Sequence, residues 1–198
     1  MTAIVAIAEK GVVYLGSDAA GVSGLGITVR DDPKSFVVAD RFLIGCTTSF
    51  RMIQLLMYKL DPPAQTVSQN DYQYMVTSFI DSVRKCFSDN GFGDMQKNIG
   101  GTFLVGYKGT LYSVDSDFQV GIPTLQYDSV GCGQDLCLGS LFSTVGKKPE
   151  DRIKMALEAA VNFSGGVRPP FLITKLEDDK PKGKVVKKTS VNRKRTKK

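Results

Sequence analysis

The chain has 198 residues, room for one domain with a sizeable core, and its 42% apolar and 23% charged content is ordinary for a globular protein. It contains no histidine, which excludes Ser-His-Asp and Cys-His nucleophilic systems, HExxH zinc hydrolysis and nearly all histidine-ligated metal sites; any hydrolytic chemistry must use a carboxylate, a lysine or a terminal amine as base. The net charge of +6 is uneven, because ten of the 26 Lys and Arg lie from Lys180 onward with no acid among them, leaving residues 1–179 at −4.

Residues Thr2 to Ala8 read as a buried strand, and the tight turn Glu9-Lys10-Gly11 leads into a second run, Val12 to Gly16, as a hairpin. Ser17-Asp18 ends that run. The Gly-rich stretch Gly21 to Gly26 has no Gly-Lys-Ser/Thr closure and reads as a plain loop. A second hairpin follows, Ser35 to Val38 and Phe42 to Cys46. Ser49 is placed to cap a helix whose apolar residues Ile53, Leu56, Met57 and Leu60 run up to Asp61-Pro62-Pro63. A longer amphipathic helix is expected from about Asp71 to Phe87, with Tyr72, Met75, Val76, Phe79, Ile80, Val83 and Cys86 on its apolar face.

Strands are expected again at 102–106, 111–114 and 126–130. Helices follow at about 134–144 and from Pro149 to Phe163, with Ser164-Gly165-Gly166 as the stop, and a last strand covers 170–174. Strands grouped apart from helices predict an α+β domain of antiparallel sheets packed face to face and covered by helices, over residues 1–178. Residues 179–198 read as a basic, disordered tail with too little apolar content to fold alone. Lys180 to Lys198 would attract an acidic partner or nucleic acid. No apolar run approaches the roughly 20 residues of a membrane span. The apolar start has no basic segment before it and stops at Glu9-Lys10, unlike a secretory signal. Cys46, Cys86, Cys132 and Cys137 form no CxxC pair and read as free thiols of a cytoplasmic protein.

With histidine absent, the start of the chain draws attention. If Met1 is removed, Thr2 carries a hydroxyl nucleophile and an α-amine of pKa about 8 in one residue. Asp18, at the end of the second strand, falls beside Thr2 if the hairpin forms. A lysine at Lys34, tethered by Asp18, would put positive charge near Thr2 Oγ and favour its deprotonation. Gly45, where the fourth strand gives way to a helix, is a candidate oxyanion donor through its backbone N–H.

Thr2 after Met1, Gly16-Ser17-Asp18, Pro33-Lys34, Ile44-Gly45 before a helix, Gly131-Cys132-Gly133 and Ser164-Gly165-Gly166 together resemble the proteasome-type N-terminal-nucleophile (Ntn) peptidases, and HslV more than a proteasome β subunit. The resemblance implies a four-layer αββα sandwich, a homo-oligomeric ring, polypeptide substrates, a ring-shaped ATP-dependent unfoldase as partner, and no cofactor. It implies Thr2 as nucleophile, Asp18 and Lys34 as its acidic and basic partners, and Gly45 as the oxyanion glycine. Cys132 stands near the terminal amine where members commonly have serine, and Val161 where proteasome β subunits have aspartate. By the same analogy Gly21, Phe36 and Leu43 line the substrate pocket, with Asp32 near its mouth. Three alternatives stay open: an inactive ring subunit that retains Met1, a Ser-Lys hydrolase built on Ser82 and Lys85, and a nucleic-acid-binding module driven by the tail.

Overall fold

The computed structural model describes residues 1–94 and 100–178; the predicted tail, with the acidic-partner and nucleic-acid expectation attached to it, lies outside the described residues. In chain order the elements are β1 (Ile4–Glu9), β2 (Val12–Ser17), β3 (Ala20–Ser23), β4 (Gly26–Val29), β5 (Ser35–Val38), β6 (Phe42–Cys46) and α1 (Phe50–Tyr58). A helical stretch follows as α2 (Asp71–Tyr74), a π turn (Met75–Phe79) and α3 (Ile80–Asp89). Then come β7 (Phe103–Tyr107), β8 (Thr110–Val114), β9 (Val120–Gly121), β10 (Tyr127–Val130), α4 (Gln134–Ser143), α5 (Pro149–Phe163) and β11 (Leu172–Glu177).

β1 is apolar on both faces, so it must be covered on both. Its side chains alternate: Ala3, Val5 and Ile7 pack with Ile153, Leu157 and Ala160 of α5, while Ile4, Ala6 and Ala8 pack with Leu43 and Leu104 of a facing sheet. The first sheet is antiparallel in the order β10-β1-β2-β11, and the second runs β5-β6-β7-β8-β9. On the second sheet Phe42, Ile44, Cys46, Phe103 and Val105 point away from the first and meet Met52, Leu56, Phe79 and Val83 of the helices. Three cores between four layers make the αββα sandwich that the sequence leads one to expect.

The two sheets meet closely at Gly45. A Cβ there would stand 2.7 Å from Ile4 Cγ2 and 2.7 Å from Leu15 Cδ2, so no side chain fits between the sheets at this point.

Three local expectations are corrected. The Gly21–Gly26 stretch is not a plain loop but lies in the β3–β4 hairpin, with Ser23 opposite Gly26 and Gly24 turning at φ +56. All of β4 is exposed, so no half-buried alternation advertises it. The long helix is interrupted by the π turn, where the Thr77 hydroxyl donates to Gln73 O and competes with the regular ladder. The final strand sits later than expected, at Leu172–Glu177, because it pairs with β2 as an edge strand. Its last charged residues, Lys175 and Glu177, pair with each other in solvent 2.9 Å apart. Among the described residues no helix is long and apolar enough to cross a membrane.

Candidate active site

The hairpin register creates the first half of the site. Ile4 opposes Ser17, so the residues just outside the strands, Ala3 and Asp18, also face each other. Asp18 N–H donates to Ala3 O at 3.3 Å, and Ala3 N–H returns a bond to Asp18 Oδ1 at 3.1 Å. Thr2, only 2% exposed, donates its hydroxyl to the same oxygen at 3.0 Å. The other half comes from the facing sheet, where Lys34 immediately precedes β5 and accepts a backbone bond from Cys46. Its Nζ reaches across to Asp18 Oδ1 at 2.7 Å and donates a hydrogen bond to Thr2 Oγ1.

A buried ion pair is tolerated only where every polar atom finds a partner. Asp18 meets that demand: Oδ1 receives Thr2, Ala3 and Lys34, while Oδ2 receives Ala20 N–H at 2.9 Å and Arg168 N–H at 3.1 Å. Burial pushes the Lys34 ammonium below its ordinary range, against the upward pull of Asp18.

Two further segments, far apart in sequence, close around the start of the chain. Gly131, at φ +104, passes so near Thr2 that a Cβ would stand 2.3 Å from Thr2 O. Gly133 N–H donates to that same carbonyl at 3.2 Å. Between them Cys132 places Sγ 3.3 Å from Thr2 N and 3.5 Å from Ser164 Oγ. At Gly166 a Cβ would meet Met1 Cβ at 2.4 Å and Cys132 Sγ at 2.7 Å. With Met1 in place, Thr2 N is a peptide nitrogen that donates to the thiol.

Thr2, Asp18, Lys34 and Cys132 therefore come together as the sequence suggests, but Gly45 does not join them as an amide donor. Cys46 N–H donates to Lys34 O and Thr47 N–H to Thr102 O, and the alternation of antiparallel bonds turns Gly45 N–H to Leu104 O within the sheet. Gly45 serves the close sheet contact instead. The pocket residues are corrected too. Phe36 is buried in the core beneath the helices and Leu43 between the sheets, while Gly21 is covered by the Arg30 side chain. The cleft beside Thr2 is lined instead by Val22, Lys34, Cys46, Thr47, Thr48, Phe50 and Ile53 among others. Asp32 forms a two-pronged ion pair with Arg30, 2.8 Å at each prong. The Ser-Lys alternative finds no site, since Ser82 donates to Phe79 O within its own helix and Lys85 pairs with Asp89 in solvent.

Sequence reasoning missed Ser17 and Ser35. Each adjoins a charged member of the site, and their hydroxyls meet 3.1 Å apart, 1% and 2% exposed, across the two sheets beside Asp18 and Lys34. The available signal was a polar residue at the end of each apolar strand, next to the acid and the lysine. Ser17→Ala or Ser35→Ala leaves the surviving hydroxyl buried without a partner, an expected loss of about 1–3 kcal/mol. The double alanine variant should lose less than the sum, as urea unfolding of the four proteins would measure. Additive losses would mean that the hydroxyls do not interact.

No protein-family model matches the chain, and no curated protein matches it in sequence. Solved structures match over most of its length. BPH of Thiobacillus denitrificans, solved in complex with epoxomicin, superposes with a TM-score of 0.73 at 15% identity, covering 90% of this chain and 100% of that one. Eukaryotic HslV from Trypanosoma brucei gives a TM-score of 0.67 at 15% identity, with 89% and 99% covered. The Gly-1 mutant of Anbu from Hyphomicrobium sp. strain MC1 gives 0.70 at 15% identity, with 97% and 88% covered. The chain has the fold of proteasome-like, HslV-like Ntn peptidases.

Proposed function

We propose that this chain is a threonine-type endopeptidase subunit in which Thr2, freed of Met1, is the nucleophile. The observation that carries the reading is the buried Thr2 Oγ in contact with both Lys34 Nζ and Asp18 Oδ1, in a site without histidine. In this reading Thr2 Oγ attacks the peptide carbonyl and passes its proton to the freed Thr2 amine, directly or through a water. Lys34, held by Asp18, stabilises the negative charge that develops on Oγ. The amine returns the proton to the departing nitrogen as the C–N bond breaks, leaving an acyl ester on Thr2 that water hydrolyses.

The oxyanion donor we assign is Thr48 N–H in place of Gly45. Thr48 lines the cleft beyond the end of β6 at φ +67, and among the described residues its N–H has no protein acceptor. Cys132 and Ser164 form the polar surroundings of the amine. The thiol is a weaker hydrogen-bond partner than the serine that the resemblance to Ntn peptidases implies at this place.

The same reading makes the active unit a homo-oligomeric ring that takes polypeptide substrates from a ring-shaped ATP-dependent unfoldase. The β3–β4 hairpin, with Leu25, Ile27 and Val29 exposed, offers apolar surface for a neighbouring copy. A second reading, a ring subunit without activity in which Met1 is retained, is favoured by one observation: the partner of Thr2 N is the thiol of Cys132, a weaker hydrogen-bond partner than a hydroxyl.

Intact mass combined with peptide hydrolysis separates the two. Quantitative loss of Met1 with turnover of a fluorogenic peptide, blocked by epoxomicin, is the expected result. Quantitative retention of Met1 in a host with working methionine aminopeptidase, without turnover, overturns the peptidase reading in favour of the inactive ring subunit.

A further inference from the structure

We propose that Ser17 and Ser35 are positioning residues for the peptidase reaction: their paired hydroxyls set the spacing of the two sheets at the point where Lys34 crosses to Asp18 and Thr2. The inference rests on the peptidase reading and adds two residues to it.

Strand parity puts both serines in the layer between the sheets. Val13 and Leu15 of β2 face that layer, and Ser17 follows at the same spacing; on β5, Val37 faces it and Ser35 stands two residues before. The buried residues that fill the layer are apolar, Ile4, Ala6, Leu43 and Leu104 among them. The serines bring two hydroxyls into it, 3.1 Å apart. Among the described residues this is the one side-chain hydrogen bond that joins a strand of the first sheet to a strand of the second.

Stability alone does not call for such a pair, since two apolar groups of the same shape in its place would be nearly neutral. What the hydroxyls add is direction. Apolar contact is non-directional, whereas a hydrogen bond has a preferred length and angle.

The pair also stands where spacing matters to the chemistry. Ser17 opposes Ile4 across the first hairpin, and Ser35 opposes Gly45 across the second. Ile4 and Gly45 make a close approach of the two sheets, with room for no Cβ at Gly45. One residue after Ser17 is Asp18, and one residue before Ser35 is Lys34, whose 2.7 Å ion pair spans the same gap. Each serine is joined to its charged neighbour by a single peptide unit, so a shift of the sheets here is passed to the ammonium and on to Thr2 Oγ. Removal of Met1 takes away no partner of either hydroxyl, of the Asp18 carboxylate or of Lys34 Nζ.

The test compares wild type, Ser17→Ala, Ser35→Ala and the double alanine variant, each as the full chain freed of Met1. Hydrolysis of one fluorogenic peptide gives kcat and KM, and urea unfolding of the same preparations gives the folded fraction. A displacement of about 1 Å in a positioning group can cost roughly 100-fold in rate. The expected result is a fall in kcat per folded protein of about 10-fold or more in all three variants, with KM unchanged. Because the two hydroxyls act as one unit, the double variant should lose kcat by the same factor as either single. It leaves no hydroxyl stranded, so it supplies folded protein for the comparison even where a single variant does not. A double variant that loses less than about 10-fold in kcat, losses in kcat that multiply, or losses that fall on KM overturn this inference alone. No cleavage by wild-type protein with a free Thr2 amine overturns the inference and the peptidase reading together.

Discussion

Thr2→Ala is expected to lower kcat/KM for any peptide by at least about 10³-fold while leaving the fold in place, because it removes the attacking atom and little else. Alanine is as small as threonine needs to be for Met1 removal, so the amine is still exposed. Lys34 and Asp18 keep each other as partners at 2.7 Å, and Asp18 keeps three backbone donors. The stability loss should therefore stay near that of one hydrogen bond, about 1 kcal/mol. Thr2→Ser retains the hydroxyl and gives up a methyl that lies close to Gly131, so it should keep a measurable part of the activity. Steady-state kinetics and urea unfolding on the same preparations separate lost chemistry from lost folding. A correctly processed Thr2→Ala protein with more than about a tenth of the wild-type rate would exclude the threonine mechanism, because the atom that mechanism relies on for attack is gone.

The parts of the site that could be read from the sequence are those carried by local pairing. Thr2 and Asp18 are neighbours because one tight hairpin joins β1 to β2, and a hairpin register is fixed by its turn. Lys34 could be placed at the head of β5 for the same reason. Gly45 shows where such reasoning stops. A glycine at a strand end before a helix has the character of an amide donor, yet whether its N–H is free depends on β7, a strand much later in the chain. Pairing with Leu104 takes that N–H, whereas the N–H of Thr48 has no acceptor among the described residues.

The pocket assignment failed on faces rather than on strands. Leu43 shares the inward face of β6 with Gly45, so it packs between the sheets. Cys46, an even position on the same strand, lines the cleft. Strand parity was visible in the sequence, but the side on which Thr2 sits is set by sheet packing. The β3–β4 hairpin was hidden for a different reason. β4 is exposed along its whole length and β3 is buried only at Ala20 and Gly21, so neither strand shows the alternation that announces a half-buried strand.

Asp18→Asn and Lys34→Met should both be severely destabilising, with Asp18→Asn the worse of the two, and the difference follows from the donor count. Lys34→Met strands a buried carboxylate, but one that still receives Thr2, Ala3, Ala20 and Arg168. Breaking a buried pair from one side typically costs about 3–5 kcal/mol, and these four bonds should hold the loss near the lower end. Asparagine at position 18 must put an NH₂ where one oxygen stood. If it replaces Oδ2 it faces two backbone N–H donors; if it replaces Oδ1 it faces three donors, one of them the ammonium. Either orientation sets donor against donor and leaves Lys34 without its counter-charge.

The pH dependence gives an independent check. Lys34 has a folded pKa below its unfolded value, so between the two the unfolded chain holds a proton that the native protein has shed. Stability from this group therefore rises with pH across the alkaline window that ends near the ordinary lysine value of about 10.4, and is lost as pH falls through the folded pKa. Lys34→Met should lack that rise. Urea unfolding of wild type, both single variants and Asp18→Leu/Lys34→Met, each at neutral and alkaline pH, measures all of this. The double variant should lose less than the two singles combined. Single losses below about 1 kcal/mol, the range of an exposed ion pair, would mean that Asp18 and Lys34 do not form the buried pair on which the site is built.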